Sequence, residues 1–175
     1  MGDLAVAQAV ARGFAGPVAD RVVLDYEGRF VRRRRLVTEA GAGLPVDLPE
    51  VTSLDEGDAL LLADGRAVGV VAAAEALVEV RGDLTRLAWH IGNRHTPCEV
   101  GGGRLAIRRD HVLEAMLARL GAELVPVTAP FRPEGGAYGH GRTLGHDHGH
   151  GDAHEHGHGH GHGHGHHDHD LPAPA

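Results

Sequence analysis

The chain has 175 residues, which is room for one ordinary domain or two small ones with a tail. Its formal charge is -7 with histidine counted as neutral, and all 17 basic residues are arginine, so a P-loop built on Gly-Lys-Ser/Thr and a Schiff-base lysine are both excluded. The acidic balance argues against a nucleic-acid partner, no apolar run approaches the ~20 residues that span a bilayer, and Asp3 and Arg12 interrupt any secretory signal, so a cytoplasmic protein is expected.

Hydrophobic residues make up 42% of the chain but aromatics only 3%, so the predicted core is aliphatic: mainly Val, Leu and Ala. Residues 1–74 show β-rich runs at 21–26, 30–37, 59–63 and 67–72, separated by Gly, Pro and Asp. Asp64-Gly65 between the last two reads as a hairpin turn. The spacing predicts a small antiparallel β domain. In residues 75–139 the pattern alternates. A strand at 76–80 is followed by a helix capped by Asp83, with Leu84, Leu87, Ala88 and Ile91 on its buried stripe. Strands at 97–100 and 105–108 flank Gly101-Gly102-Gly103. Asp110 caps a second helix carrying Leu113, Met116, Leu117 and Leu120, Gly121 stops it, and a last strand is read at 123–127. The order βαββαβ predicts a ferredoxin-like domain, and the whole chain an α+β protein. Residues 140–175 cannot form a core: from Gly145 to Asp170 they are almost entirely Gly, His, Asp and Glu, and they are expected to be disordered.

That tail is the strongest chemical signal. Of 16 histidines, 13 lie in it: His140, His146, His148, His150, His154, His156, His158, His160, His162, His164, His166, His167 and His169. From His156 to His166 they alternate with glycine, so the backbone can fold to bring several imidazoles to one ion. Asp147, Asp152, Glu155, Asp168 and Asp170 add carboxylates. A chain with many equivalent ligands suits capture and release better than a fixed catalytic site. Imidazole and carboxylate without thiolate disfavour copper(I) and cysteine-based zinc sites, and leave nickel, zinc and copper(II) open.

Elsewhere the residues taken singly read more plainly. His95 falls near the end of the first helix and His111 beside the Asp110 cap; on spacing alone each is a capping or surface residue. Cys98, the single cysteine, rules out a disulfide framework, fits a reducing compartment and reads as a small buried hydrophobe. Gly92 inside a helical pattern suggests close packing against another backbone. Arg32 to Arg35 are read as a solvated strand or edge guard, with contact to an acidic partner protein as the functional alternative.

Taken together, several segments form a recognisable set: His90-Ile91-Gly92-Asn93-Arg94-His95, Asp110-His111-Val112-Leu113, Pro130-Phe131-Arg132-Pro133-Glu134 with Gly136-Ala137-Tyr138, and the His-rich end. From about Leu84 onward the chain resembles the UreE family of urease accessory proteins. The resemblance implies an N-terminal β domain that binds partner peptide, a ferredoxin-like metal-binding domain, and a homodimer joined through the second domain. It implies that His95 meets its symmetry mate and shares one nickel ion, and that His111 is a further metal-binding histidine. This chain departs from some members at Arg109, where they carry another histidine.

The function these features predict is nickel carriage and delivery for urease metallocentre assembly, with urease and other urease accessory proteins as partners and Zn2+ or Cu2+ as competing ions. Storage or detoxification of nickel by the tail is the alternative. An enzyme is not expected: a metallohydrolase needs three fixed ligands and a positioned base, and residues 1–139 offer only His90, His95 and His111, with no His-Glu-x-x-His element.

Overall fold

Short Val/Leu-rich runs punctuated by turn residues build the first half of the molecule, and the computed structural model describes residues 2–135. Strands β1 (Ala7–Ala11), β2 (Asp20–Leu24), β3 (Phe30–Val37), β4 (Gly43–Ser53), β5 (Ala59–Leu62) and β6 (Ala67–Ala72) form one sheet in the order β2-β6-β5-β1-β4-β3. Their alternate residues, among them Ala7, Val22, Leu36, Leu44, Leu60 and Val68, bury a single aliphatic core. The β5–β6 hairpin turns where the Asp64-Gly65 pair predicted it: Gly65 has φ +84° and donates from its N–H to the Leu62 carbonyl oxygen at 3.0 Å.

Two features of this sheet depart from the sequence reading. It is mixed rather than antiparallel, because β2 runs parallel to β6 from Asp20↔Val68 to Leu24↔Ala72. Three strands intervene between them in the chain, and such a long connection allows either direction, which run spacing does not encode. Strands β1 and β4 also lie outside the predicted runs. Pro45 and Pro49 break the β4 pattern, yet the strand persists: β4 meets β1 through the single pair Ala7↔Val46, and Pro49 lies in the bulge where pairing with β3 passes from Val31↔Thr52 to Arg33↔Asp47, so it faces no ladder bond that needs its N–H.

The second half contains β7 (Ala74–Arg81), α1 (Leu84–Gly92), β8 (Glu99–Gly101), β9 (Arg104–Arg108), α2 (His111–Arg119) and β10 (Glu123–Pro130), with sheet order β10-β7-β9-β8. All its pairings are antiparallel, which is the ferredoxin-like βαββαβ arrangement. Leu87 and Ile91 of α1 and Leu113 and Leu117 of α2 pack on Val78, Val80, Leu105 and Ile107 of the sheet. The predicted caps form. The Asp83 carboxylate accepts from Arg86 N–H at 3.2 Å, and Asp110 accepts from Val112 and Leu113 N–H at 2.8 and 2.9 Å. At the end of α2, Gly121 (φ +87°) lets Ala122 N–H reach back to the Leu117 carbonyl oxygen at 3.1 Å, a Schellman closure. Strand β10 runs three residues past the predicted 127, pairing up to Pro130↔Ala74; as an edge strand it accommodates Pro126 and Pro130. Among the described residues no helix is long and apolar enough to cross a membrane.

The two sheets meet around Tyr26. Its ring contacts Phe30 and Phe131 edge-on at centroid distances of 5.2 and 5.4 Å, and the guanidinium groups of Arg29 and Arg108 lie 5.5 and 5.2 Å from its centroid. Tyr26 N–H donates to the Glu75 carboxylate at 2.7 Å, and Arg108 pairs with Glu27 at 2.9 Å. This joint fixes the second sheet against the first through side chains from both.

Candidate metal centre

The antiparallel ladder sorts the second half into two ends. Strand β7 starts at Ala74, β9 finishes at Arg108 and β10 finishes at Pro130, all at the end nearest the joint. Because β8 is antiparallel to β9, it is parallel to β7, so α1 must return the chain to that same end before β8 begins. The residues after α1, the start of α2 and the segment after β10 therefore gather at one end of the sheet. His95, His111 and the exit toward the tail share it.

His95 sits there under backbone strain. The helix unwinds past Gly92 through turns in which Arg94 N–H bonds the Ile91 carbonyl oxygen at 3.0 Å and His95 N–H bonds that of Gly92 at 2.9 Å. His95 then takes φ +53°, and among the described residues no other non-glycine residue has positive φ. Glycine is the usual occupant of this position after a helix. An L-residue there costs about 1–2 kcal/mol, and strain of that kind concentrates at functional sites.

Beside His95 lies a cavity of about 190 Å³, lined by Ala88, Gly92, His95, Thr96, Pro97, Cys98, Val100, Glu134 and Gly135. The close packing expected at Gly92 is absent among the described residues: a Cβ placed there meets nothing within 4 Å, because Gly92 borders this open space. Glu134 and Gly135 are held in the cavity wall by backbone bonding beside β8. Glu134 N–H donates to the Cys98 carbonyl oxygen at 2.8 Å, and Arg132 N–H to the Glu99 carboxylate at 2.9 Å. Cys98 is half-buried rather than fully buried. Burial first, then the negative charges of Glu99 and Glu134, push its thiol up to about 11. Of these two carboxylates only Glu134 lines the cavity; Glu99 is paired with Arg104 at 3.2 Å.

His111 is the first residue of α2, exposed, and does not line this cavity. His90 is half-buried, its ring edge-on to Trp89 at 4.9 Å, and it does not line the cavity either. Arg109 forms a two-pronged ion pair with Glu114 at 2.8 and 3.2 Å. Among the described residues no three His, Cys, Asp or Glu side chains come together to hold a metal ion. His140, His146 and the eleven further tail histidines lie outside the described residues.

Residues 5–73 match the model of the UreE urease accessory protein N-terminal domain, and residues 70–170 that of the UreE C-terminal domain. The chain belongs to the UreE family of urease accessory proteins. The two UreE matches overlap at residues 70–73, the end of β6 and the step to β7, where the chain passes from one sheet to the other. Curated relatives named urease accessory protein UreE include that of Cereibacter sphaeroides, 66% identical over 77% of this chain and 74% of its own length. That of Paracoccus denitrificans is 63% identical over 77% and 86%, and that of Rhodobacter capsulatus 58% identical over 78% and 87%. The UreE C-terminal match contains the whole cavity and His111. The place of Glu134 in the cavity wall could be suspected from the Pro-Phe-Arg-Pro-Glu segment, since that segment carries the resemblance. Nothing in the run pattern marked Arg29 or Tyr26 as the joint.

Proposed function

We propose that this protein carries nickel in the cytoplasm as a homodimer and delivers it for assembly of the urease metallocentre, with urease and the other urease accessory proteins as partners. The observation that supports this reading most is where the chain leaves the described fold: Glu134 and Gly135 wall the cavity that holds His95. His140, the first of the tail histidines, follows Gly135 by only five residues in the sequence. Tethering holds the tail imidazoles at high local concentration beside His95.

In this reading residues 75–139 form the metal-binding and dimerising unit, residues 140–175 the capturing tail, and residues 1–74 the partner-facing domain. A two-fold axis at the His95 end places two copies of His95 on one ion, and the open space over Gly92 leaves room for a second backbone. Two imidazoles leave the coordination shell of nickel incomplete; tail histidines complete it, and His111 adds an exchange ligand at the same end of the domain. An incomplete, exposed shell passes its ion on by ligand exchange. Zn2+ and Cu2+ compete for the same imidazoles.

Urease activation in a reconstituted system tests this, with the full chain, a chain ended after Gly145, His95→Ala, and the two changes combined. Delivery predicts that His95→Ala lowers activation while total bound nickel, set by the tail, hardly changes. Activation that tracks tail capacity and ignores His95 would mean storage instead.

A further inference from the structure

The four consecutive arginines of β3 lie on a strand whose outer flank pairs with no other strand among the described residues. β3 is the terminal strand of the six-stranded sheet and, at eight residues, is twice as long as β5. Its far end closes toward β2, through Glu39 N–H to the Arg21 carbonyl oxygen at 2.8 Å, so the open edge runs over residues 31–37. Arg32, Arg33, Arg34 and Arg35 are all exposed. Two of them are neutralised from within the sheet. Arg33 pairs with its cross-strand neighbour Asp47 at 2.8 Å, and Arg35 pairs with Asp3 over Gly43, where a side chain would collide with both partners. Among the described residues neither Arg32 nor Arg34 has an acidic partner. Opposite Arg32 the ladder is interrupted: pairing jumps from Val31↔Thr52 to Arg33↔Asp47, and Leu48 to Val51 of β4 bulge past it, leaving Val51 67% exposed.

We propose that this arginine-bearing edge of β3 docks an acidic, extended segment of a partner protein, which adds to the sheet as a further strand. The partner's backbone would pair with the open N–H and C=O groups of β3, and its carboxylates with Arg32 and Arg34. In a chain of net charge -7, two uncompensated cations on an unpaired edge select an acidic segment against the repulsion of the remaining surface. An edge guard would keep strands away by charge alone, and pairing two of four guards with Asp47 and Asp3 would weaken it. The proposal rests on reading residues 1–74 as the partner-facing domain and does not involve metal.

The test is fluorescence anisotropy of the metal-free full chain with a labelled ten-residue peptide of alternating Glu and Val. Two control peptides have Lys in place of Glu, or prolines interrupting the alternation at unchanged charge. Binding to the Glu/Val peptide should exceed binding to both controls and weaken with salt. It should fall roughly tenfold in Arg32→Glu/Arg34→Glu, in line with reversing two exposed pairs. Amide exchange over residues 31–37 should slow when that peptide binds. Equal binding of the proline-interrupted peptide, no exchange protection, or an unchanged affinity in the double variant would overturn the proposal. So would preferential binding of a single-stranded RNA oligomer, or concentration-dependent self-association of the double variant, which would mark the arginines as guards only. Because no metal is present, failure here leaves the nickel reading untouched.

Discussion

Arg29 and Phe131, 102 positions apart, are joined by a hydrogen bond of 2.5 Å from the Arg29 Nη2 to the Phe131 carbonyl oxygen. Both residues are buried, Arg29 at 3% exposure and Phe131 at 0%. Arg29 belongs to the first sheet's half, and Phe131 begins the segment that runs through Arg132 and Glu134 to the His95 cavity. The bond therefore ties the cavity wall to the interdomain joint.

Arg29→Met should keep most of the packing but leave the Phe131 carbonyl without its donor. The cost of one buried unsatisfied acceptor is about 1–3 kcal/mol, tempered because the Arg29 Nε itself has no partner and its burial is relieved. Urea unfolding reads the stability, and amide exchange at Glu134 should quicken if the clamp holds the cavity wall. Unchanged exchange at Glu134 would show that the wall is held by β8 alone.

His95→Gly and His95→Ala separate strain from function. At φ +53° glycine relaxes the backbone and alanine does not, so the glycine variant should be the more stable of the two by about 1 kcal/mol. In a chain ended after Gly145, both should lose the tightest nickel site to the same extent. Thermal unfolding and calorimetric titration check the pair; equal stability of the two variants would mean that the backbone at residue 95 is unstrained.

The Cys98 thiol, pushed up to about 11 by burial, should alkylate slowly at pH 8, and its rate should climb with pH toward 11 in the folded protein. In urea the rise should come near the ordinary value of 9.0. The sign of the linkage follows. Between about 9 and 11 the folded state holds a proton that the unfolded chain has lost, so this residue's contribution to stability is complete below pH 9 and disappears as pH rises through 11. Iodoacetamide kinetics in native and denaturing buffer measure both limbs. A native rate as fast as the unfolded one at pH 8 would contradict the buried thiol.

Asp110→Ala removes the acceptor for Val112 and Leu113 N–H and should destabilise the protein by about 1 kcal/mol. His111→Ala leaves that cap intact and should change stability little, since the side chain is exposed. Chemical denaturation of the two variants separates the helix-start role of this dipeptide from any ligand role of His111. A loss for His111→Ala as large as for Asp110→Ala would assign His111 a structural role.

Some of this was legible in the residue pattern because the forces are local. The α1 and α2 stripes, the Asp83 and Asp110 caps, the Gly65 turn and the Gly121 stop depend on neighbours within a few residues, and each appears where the spacing placed it. The imidazole-rich composition of residues 140–175, and the Gly-Asn-Arg-His and Pro-Phe-Arg-Pro-Glu elements, sufficed for the family. The tertiary structure alone decided the rest, because it depends on pairings between distant residues. Strand direction in the first sheet, the survival of β4 with Pro45 and Pro49, and the Arg29–Tyr26–Phe131 joint all join segments whose spacing carries no record of each other. The same holds for the cavity: His95 and Glu134 are 39 residues apart, and only the return of α1 and β10 to one end of the sheet brings them to its wall together.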